Sequence, residues 1–522
     1  MKRRSLFAPV RLSLVVLSVA GLLLSGCGSG SPKTSSAKPP AGPQDTLVVA
    51  QGADTRTLDP QKQGDMISVS VLINIFDTLL TRDNRLQLAP SLATEWKALN
   101  DTTWQFKLRE GVKFHDGEPF NAQTVKFSIE RILDPKTKSP IIALKSVKQV
   151  DIVDDHTVNI VTKTPDPLIP VKMTLFPGIV VPPKYIQDKG DAYFAQHPVG
   201  TGPFKFVEWK KDDRVMLEAN PDYWRGTPKV KKLVFRAIPN DADRVAALMS
   251  GEVDVISNLP PDSMATVNQS QGAKAVAVPG VRAQFVALDS RSGPLAKQEV
   301  RQALNYALDV DSIVKNVLGG LGERLPTFIP KQAFGYDPQV KPYPHDPQKA
   351  RELLKAAGYP DGFKIQLATP SGLFMKDKDV AQAIAGQLAK VGIKVDIQVL
   401  EAGTFTSQYM SDKIAPMYLI GNLSWMLDSF LNLQSYGAAD RRYARMPEIP
   451  EHSQLMNQQE TSMDPAVRQQ ALSKIQHILK DQAYYLYLYT TKDVYGLTNR
   501  VQWTPPSNQL LWMYEASLKP EK

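Results

Sequence analysis

Cys27 is the only cysteine in the 522-residue sequence. The chain can therefore form no internal disulfide, and it has no cysteine cluster with which to seat a structural metal. What holds it folded must be buried apolar surface and satisfied hydrogen bonds. Roughly 480 residues follow position 44, more than one ordinary core can organise, so two or three lobes are expected.

The position of that cysteine also carries information. Lys2, Arg3, Arg4 and Arg11 make a basic start, and residues 12–24 are an apolar run of 13. That run is too short to span a bilayer and has the length of a signal-peptide core. It ends in Leu24-Ser25-Gly26-Cys27, small residues before a cysteine, which resembles the bacterial lipobox. The resemblance implies cleavage before Cys27 and its lipidation; the alternative is a buried or stray thiol. Residues 28–44, rich in Gly, Ser and Pro, read as a flexible tether. No later segment is long and apolar enough for a transmembrane helix. The formal charge of +9 loses the leader's four basic residues, leaving +5. The remaining basic residues are scattered without aromatic partners, so no nucleic-acid footprint is present. A modest positive charge suits an anionic membrane surface.

Patterning gives the elements. Trp104, Phe106 and Leu108 alternate with Gln105, Lys107 and Arg109, a half-buried strand. Glu110-Gly111 bends the chain, Val112 and Phe114 start a second short strand, and Asp116-Gly117 turns it. Residues 122–132 then form a helix with Val125, Ile129 and Ile132 on one face. This predicts a hairpin feeding a helix. Earlier, residues 47–50 are a buried strand and residues 69–80 a helical run. Residues 147–161 give two strands around Asp154-Asp155-His156. Residues 233–238, 241–251 and 252–256 read strand, helix, strand. Residues 346–358 form a helix closed by Gly358. Strand 364–368, helix 379–391 and strand 393–399 follow, which predicts an α/β lobe with a largely parallel sheet. Residues 464–481 are helical, and residues 484–489 form a strand dense in tyrosine, suited to core packing or to lining a cleft.

Several motifs are set aside. Gly200-Thr201-Gly202 is not followed by the Gly-Lys-Ser/Thr of a phosphate loop and reads as a turn before a strand. Ser312 and Lys315 have Ser-x-x-Lys spacing without its companion motifs, so Asp311 and Ser312 are read as a helix cap. The six histidines are dispersed, without His-Glu-x-x-His, and supply no direct metal site. No nucleophile–base pair is visible, so no catalytic residue is assigned and an exported hydrolase is disfavoured.

The segment TTWQFKLREGVKFHDGEPFNAQTVKFSIER, residues 102–131, resembles the signature of the family 5 extracytoplasmic solute-binding proteins. These are the oligopeptide, dipeptide and nickel receptors of ABC importers. TLDPQ and NIFDTLL before it, and VGTGPFKF, NPDYW, ALMSGEVDVI and VRQALNYALDVDSIVKNVLGG after it, keep the family's order, so the resemblance covers about residues 45–520. It implies an α/β, two-lobe periplasmic-binding-protein fold (type II, cluster C) with an extra subdomain in the first lobe. The expected limits are 1–27 for the leader, 28–44 for the tether and 45–285 for the first lobe. An inserted subdomain is expected at about 75–197, the second lobe at 286–494, and a return to the first lobe at 495–522.

The implied function is capture of di- or oligopeptides between the lobes and delivery to a permease with its ATPase. A nickel chelate, an opine or a glutathione-like compound is the alternative ligand, and a sensing or chemotaxis partner the alternative recipient. The protein is expected outside the cytoplasmic membrane, lipid-anchored and monomeric, without a cofactor. That place is the periplasmic space of a Gram-negative host or the surface of a Gram-positive one.

Site candidates follow from the same resemblance. Trp425 and Asp428 match a Trp-x-x-Asp whose carboxylate, in peptide-binding relatives, pairs with the ligand's α-amino group. Such a charge-assisted bond is worth roughly 1.5–3 kcal/mol. The alternatives are a helix cap for Asp428 and core packing for Trp425. Relatives often continue with a second acidic residue and Asp-Pro, where this chain has Ser429-Phe430-Leu431. Gln63, Asp65 and Met66 lie on a loop that edges the cleft in the family. Arg441 and Arg442, with Arg445 after them, are candidates for a ligand carboxylate through the planar guanidinium fork; the alternative is a solvated surface cluster.

Overall fold

The computed structural model describes residues 45–519 except 84 and 439–442. The leader, Cys27, the tether and the candidates Arg441 and Arg442 lie outside the described residues.

Two long strands, Ala273–Leu288 and Tyr485–Thr498, run antiparallel through the middle of an eleven-stranded sheet. They pair twice. Residues 273–279 face 492–498, and residues 283–287 face 485–490, with a register break between Pro279 and Ala283. Apart from the short Gly322–Arg324, which pairs with residues 489–491 at the break itself, every other strand of that sheet attaches on one side of it. Val255–Ile256 binds residues 496–497, and Thr46–Gln51, Lys232–Ala237, Arg214–Ala219 and Phe204–Lys210 extend the sheet from it. Beyond the break, Met417–Leu423 binds residues 282–288, and Lys364–Ser371 and Lys394–Glu401 follow in parallel. The break therefore divides two lobes joined by two crossing strands, the α/β two-lobe architecture expected. Gly280 sits within it: a Cβ there would lie 2.2 Å from the Thr491 carbonyl oxygen, so only glycine fits between the strands.

Each lobe has its own core. Leu47, Val49, Phe204, Leu217, Leu233 and Phe235 pack in the first. In the second, alternation along the first crossing strand sends Phe285 and Ala287 to one face and Val286 and Leu288 to the other. Both faces are covered, as parallel α/β sheets require. The tyrosine-rich segment belongs to this packing. Phe285 meets Tyr485 edge-on at 5.4 Å, and Tyr487 donates from its hydroxyl to the Leu479 carbonyl.

A separate four-stranded antiparallel sheet, in the order Ala93–Asn100, Thr103–Leu108, Thr157–Thr162, Val147–Asp154, carries the helix Ala122–Leu133. Phe106, Val125, Ile129, Val158 and Ile160 form its core.

Three local expectations change. Thr103–Leu108 does not pair with residues 112–114, because both of its edges are taken by Ala93–Asn100 and Thr157–Thr162. Residues 112–114 stay in a loop with a single Lys113–Pro119 bridge. The helix expected over 69–80 is Met66–Leu72. The Asn74 side chain holds both the Ser70 and Leu511 carbonyls, and Thr78 and Leu80 turn to sheet pairing. Asp309, not Asp311, caps Val310–Asn316, accepting from the Ser312 amide at 2.9 Å.

Candidate ligand cleft

The chain leaves Met417–Leu423 through Ser424-Trp425-Met426-Leu427-Asp428. Leu427 adopts a left-handed φ of 53°, and its carbonyl accepts from the Phe334 amide at 2.9 Å. That turn presents Trp425 to the first lobe. Its ring stands edge-on to Phe176 at 5.8 Å, and Met66 packs in the same apolar groups. Met426 and Phe430 pack against Leu168, and an Arg82 guanidinium nitrogen donates to the Met426 carbonyl. The structure therefore brings Met66 and Trp425 together across the lobes.

Asp428 occupies a different setting. It caps the helix Ser429–Tyr436, accepting from the Phe430 amide at 2.9 Å. Its Oδ1 accepts from Arg468 Nη2 at 2.9 Å and its Oδ2 from Nη1 and Nη2 at 3.1 Å. Both side chains are more than nine-tenths buried. Arg82 lies close enough to feel the carboxylate, although burial still lowers its own pKa to about 10.

Asp65 caps Met66–Leu72, accepting from the Ser68 amide at 2.8 Å and the Ser68 hydroxyl at 2.9 Å. Gln63 Oε1 accepts from the Asp65 amide at 2.9 Å, and its buried Nε2 has no partner among the described residues. Arg445 is buried under ion pairs with Asp412 and Asp289.

Beside the crossing strands lies a cavity of about 650 Å³ with walls from both lobes. Pro239, Asn258 and Pro260 come from the first lobe, and Gly372, Phe374 and Lys376 from the second. The crossing strands contribute Arg282, Gln284 and Asp493, and the return segment Gln509. Arg282 Nη2 donates to Gln509 Oε1 at 3.2 Å, and Gln509 Nε2 donates to Asp493 Oδ1 at 2.5 Å. Asp493 Oδ2 and Gln284 Oε1 are buried without a hydrogen-bond partner among the described residues. Burial pushes the Asp493 carboxyl up to about 6, against the opposing pull of Gln509 and Arg282. Burial also lowers the Arg282 guanidinium. At the cavity's edge Lys376 of the second lobe pairs with Asp262 of the first.

Sequence reading passed over Arg282, Gln284, Asp493 and Gln509. For Arg282 a signal was present, since it is the one charge in the extended stretch 275–288, where an ionised group needs a reason to be; Asp493, next to Lys492, gave none. Among the described residues no cluster of three or more His, Cys, Asp or Glu is placed to hold a metal. No helix among them is long and apolar enough to cross a membrane.

Residues 87–443 match the family model described as bacterial extracellular solute-binding proteins, family 5 Middle. The glutathione-binding protein GsiB of Pectobacterium atrosepticum is 33% identical over 359 residues, 68% of this chain and 69% of the relative. Among solved structures, the periplasmic binding protein DppA of Helicobacter pylori, in complex with the peptide STSA, aligns with a TM-score of 0.77. It is 27% identical, over 91% of this chain and 98% of DppA. The binding protein AgaA of A. tumefaciens R10, in complex with agropinic acid, aligns with a TM-score of 0.76. It is 25% identical, over 91% of this chain and 99% of AgaA.

Proposed function

The chain belongs to the family 5 bacterial extracellular solute-binding proteins, which bind small molecules or peptides and deliver them to ABC permeases, and from that premise we propose that it captures a peptide-type ligand between its lobes. The observation that carries this reading is the cavity of about 650 Å³ at the crossing strands, walled by both lobes and lined by charged groups of both signs, among them Arg282, Arg244, Asp493 and Asp377. A volume of that order suits a ligand the size of two or three amino acids. Opposite charges in a low-dielectric site suit a ligand that carries both. Relatives named for glutathione binding and solved with a peptide support the class, and the agropinic acid complex of AgaA keeps a non-peptide ligand as the second reading.

Within this reading Trp425 and Met66 form the apolar wall that closes on the ligand's side chains. Asp428, held by Arg468, and Asp65, held by Ser68, act as positioning residues that set the Trp425 turn and the Met66 helix. Arg441 and Arg442 remain candidates for a ligand carboxylate. The protein works as a monomer, anchored by lipid at Cys27, its lobes spanning residues 45–285 and 286–494 with the return at 495–522 and the subdomain at about 75–197. Closure over ligand creates the surface a permease recognises, because only the closed form contacts ligand from both sides.

Native mass spectrometry of the protein, purified without refolding, tests this. A retained peptide, or saturable binding of short peptides or glutathione, is the expected result. A single non-peptide mass, with peptides and glutathione failing to displace it, sinks the peptide reading.

A further inference from the structure

Residues 371–379 line the cavity without interruption from the second lobe, and residues 258–262 line it from the first. The second-lobe stretch joins the end of strand Lys364–Ser371 to the start of helix Asp377–Ala389. Its own lobe holds it in one shape. The buried Asp377 carboxylate accepts from the Leu373 amide at 3.0 Å and the Phe374 amide at 3.2 Å, and the Thr369 hydroxyl donates to the Asp377 carbonyl at 3.3 Å. Lys376, inside that turn, takes a left-handed φ of 54°. A lysine has no intrinsic preference for this conformation, which persists where surrounding bonds over-determine it. The turn reaches the other lobe in two ways. Met375 packs against its own lobe's cluster around Leu367 and Val380, and also against a cluster built chiefly from the first lobe, with Leu259 and Val267 among its members. Lys376 pairs with Asp262, in the turn Pro261–Ser263 of the first lobe, and lies 3.8 Å from Asp379 of its own helix. The exposure of Asp262 makes that pair weak, so the apolar contact of Met375 is the part that holds.

We infer that residues 372–376 are a preformed hook, with Met375 as its grip, which fastens the second lobe to residues 258–263 of the first and so sets how long the cavity stays shut. The inference rests on ligand capture between the lobes and adds a positioning residue to it. Because Asp377 fixes the hook within its own lobe, little is left to order when the lobes meet. A contact made only by the closed form slows opening, so it acts on release of a ligand more than on its entry. An unbranched thioether suits a grip that forms and breaks repeatedly, because it fills irregular gaps.

Carbodiimide coupling of the purified protein, without ligand, tests it. The reagent joins the Lys376 amine to a touching carboxylate as an amide and leaves as its urea. Peptide mapping by mass spectrometry then distinguishes two products, Lys376–Asp262 across the lobes and Lys376–Asp379 within one. Their ratio reports lobe contact and cancels the reactivity of the lysine. Met375→Ser should lower the ratio about fivefold, and Met375→Leu should leave it within about twofold, a rescue that a role for the ion pair alone would not produce. In the unaltered protein the ratio should hold between about 0.05 and 0.5 M sodium chloride, since apolar burial is not screened. Absence of the inter-lobe product beside the internal one overturns the hook. A ratio that collapses with salt, or that is unchanged in Met375→Ser, overturns Met375 as its grip. The salt series needs no variant, so it decides even if Met375→Ser fails to fold. Stopped-flow mixing with the tetrapeptide Ser-Thr-Ser-Ala adds the functional readout: Met375→Ser should release it about fivefold faster, with association within about twofold of the parent. Unchanged release overturns the role in keeping the cavity shut. Failure of the tetrapeptide to bind the unaltered protein counts against peptide capture alone, and the cross-link ratio still decides the hook.

Discussion

Replacing Arg468 by methionine separates the two roles open to Asp428. The substitution keeps most of the side-chain volume and removes the guanidinium. In the native protein that group makes three contacts with the Asp428 carboxylate, between 2.9 and 3.1 Å, with both partners below a tenth exposed. It also donates from Nε to the Gln459 carbonyl at 2.8 Å. Truncating one partner of a buried ion pair typically costs about 3–5 kcal/mol, because the remaining charge stays buried without its counter-ion. The cost here sits at the lower end, since Asp428 keeps the Phe430 amide and has Arg82 nearby. Arg468→Met should therefore lower unfolding free energy by about 3 kcal/mol. Asp428→Asn keeps an acceptor for the helix cap and should lose about 1–3 kcal/mol. Urea unfolding followed by tryptophan fluorescence and by far-ultraviolet circular dichroism measures both losses, and calorimetry measures ligand affinity in the same variants. Stability should fall in each, with affinity within about twofold of the unaltered protein. If Arg468→Met is as stable as the parent, or if Asp428→Asn abolishes binding without loss of stability, the carboxylate serves the ligand and the positioning role assigned to it is wrong.

Other outcomes follow from the crossing strands and the lobe contact. Asp493 is raised to about 6 from 3.8, so between those values the folded protein holds a proton that the unfolded chain has released, and its contribution to stability declines as pH rises through 6. Asp493→Asn should therefore stabilise the ligand-free protein by about 2–3 kcal/mol at pH 7.5, with the gain gone by pH 4, read from thermal unfolding across that range. The charged groups facing that cavity are Arg282 and Lys492 on the crossing strands, Asp241, Arg244 and Asp262 from the first lobe, and Lys376, Asp377, Lys378 and Asp379 from the second. Arg282→Gln should remove an opposing charge and raise the Asp493 midpoint further, seen by carboxyl NMR titration. Gly280→Ala forces a methyl to within 2.2 Å of the Thr491 carbonyl oxygen and should cost about 2 kcal/mol or more by separating the strands. Trp425→Ala removes an edge-on aromatic pair worth about 0.5–1.5 kcal/mol beyond its buried area, so the ligand-free protein should open and its radius of gyration rise in small-angle scattering.

The fold was legible where period and punctuation agreed. Strand 364–368, helix 379–391 and strand 393–399 each carry a single clear repeat, and the structure has Lys364–Ser371, Asp377–Ala389 and Lys394–Glu401. Legibility failed where a choice depended on distant partners. Residues 112–114 have strand composition, yet the edge they would pair with is filled from residues 157–162, some fifty positions on. The helix after Asp65 stops at Leu72 because Asn74 reaches Leu511, a contact over 437 residues that no local window contains. The site divides the same way. Trp425 and Met66 are singled out by resemblance, and both pack against the same apolar groups. Asp428 was read with two roles open, and only the position of Arg468, forty residues later, shows how its carboxylate is engaged. Arg282, Asp493 and Gln509 come from three separated stretches that converge only once both strands cross, so neither charge could be paired from the sequence.

That convergence says what ligand binding has to accomplish. The lobes touch through Trp425 and Phe176, through Arg82 and the Met426 carbonyl, and through Lys376 and Asp262. These contacts are few, and the last involves an exposed aspartate, so they bias closure without enforcing it. A ligand shifts such an equilibrium only through affinity that differs between open and closed forms. Arg282 and Asp493 both sit on the strands shared by the lobes, so a group bound to them alone stays put when the lobes separate and contributes little to that difference. The apolar wall of Met66, Phe176 and Trp425 exists only when the lobes meet. Contacts at the crossing strands should therefore add affinity without driving closure, while contact with Trp425 sets whether the lobes close. Trp425→Ala would then abolish ligand-induced compaction in small-angle scattering while leaving ligand binding measurable by calorimetry. Loss of all binding along with compaction would place both tasks on the same residue and refute the division.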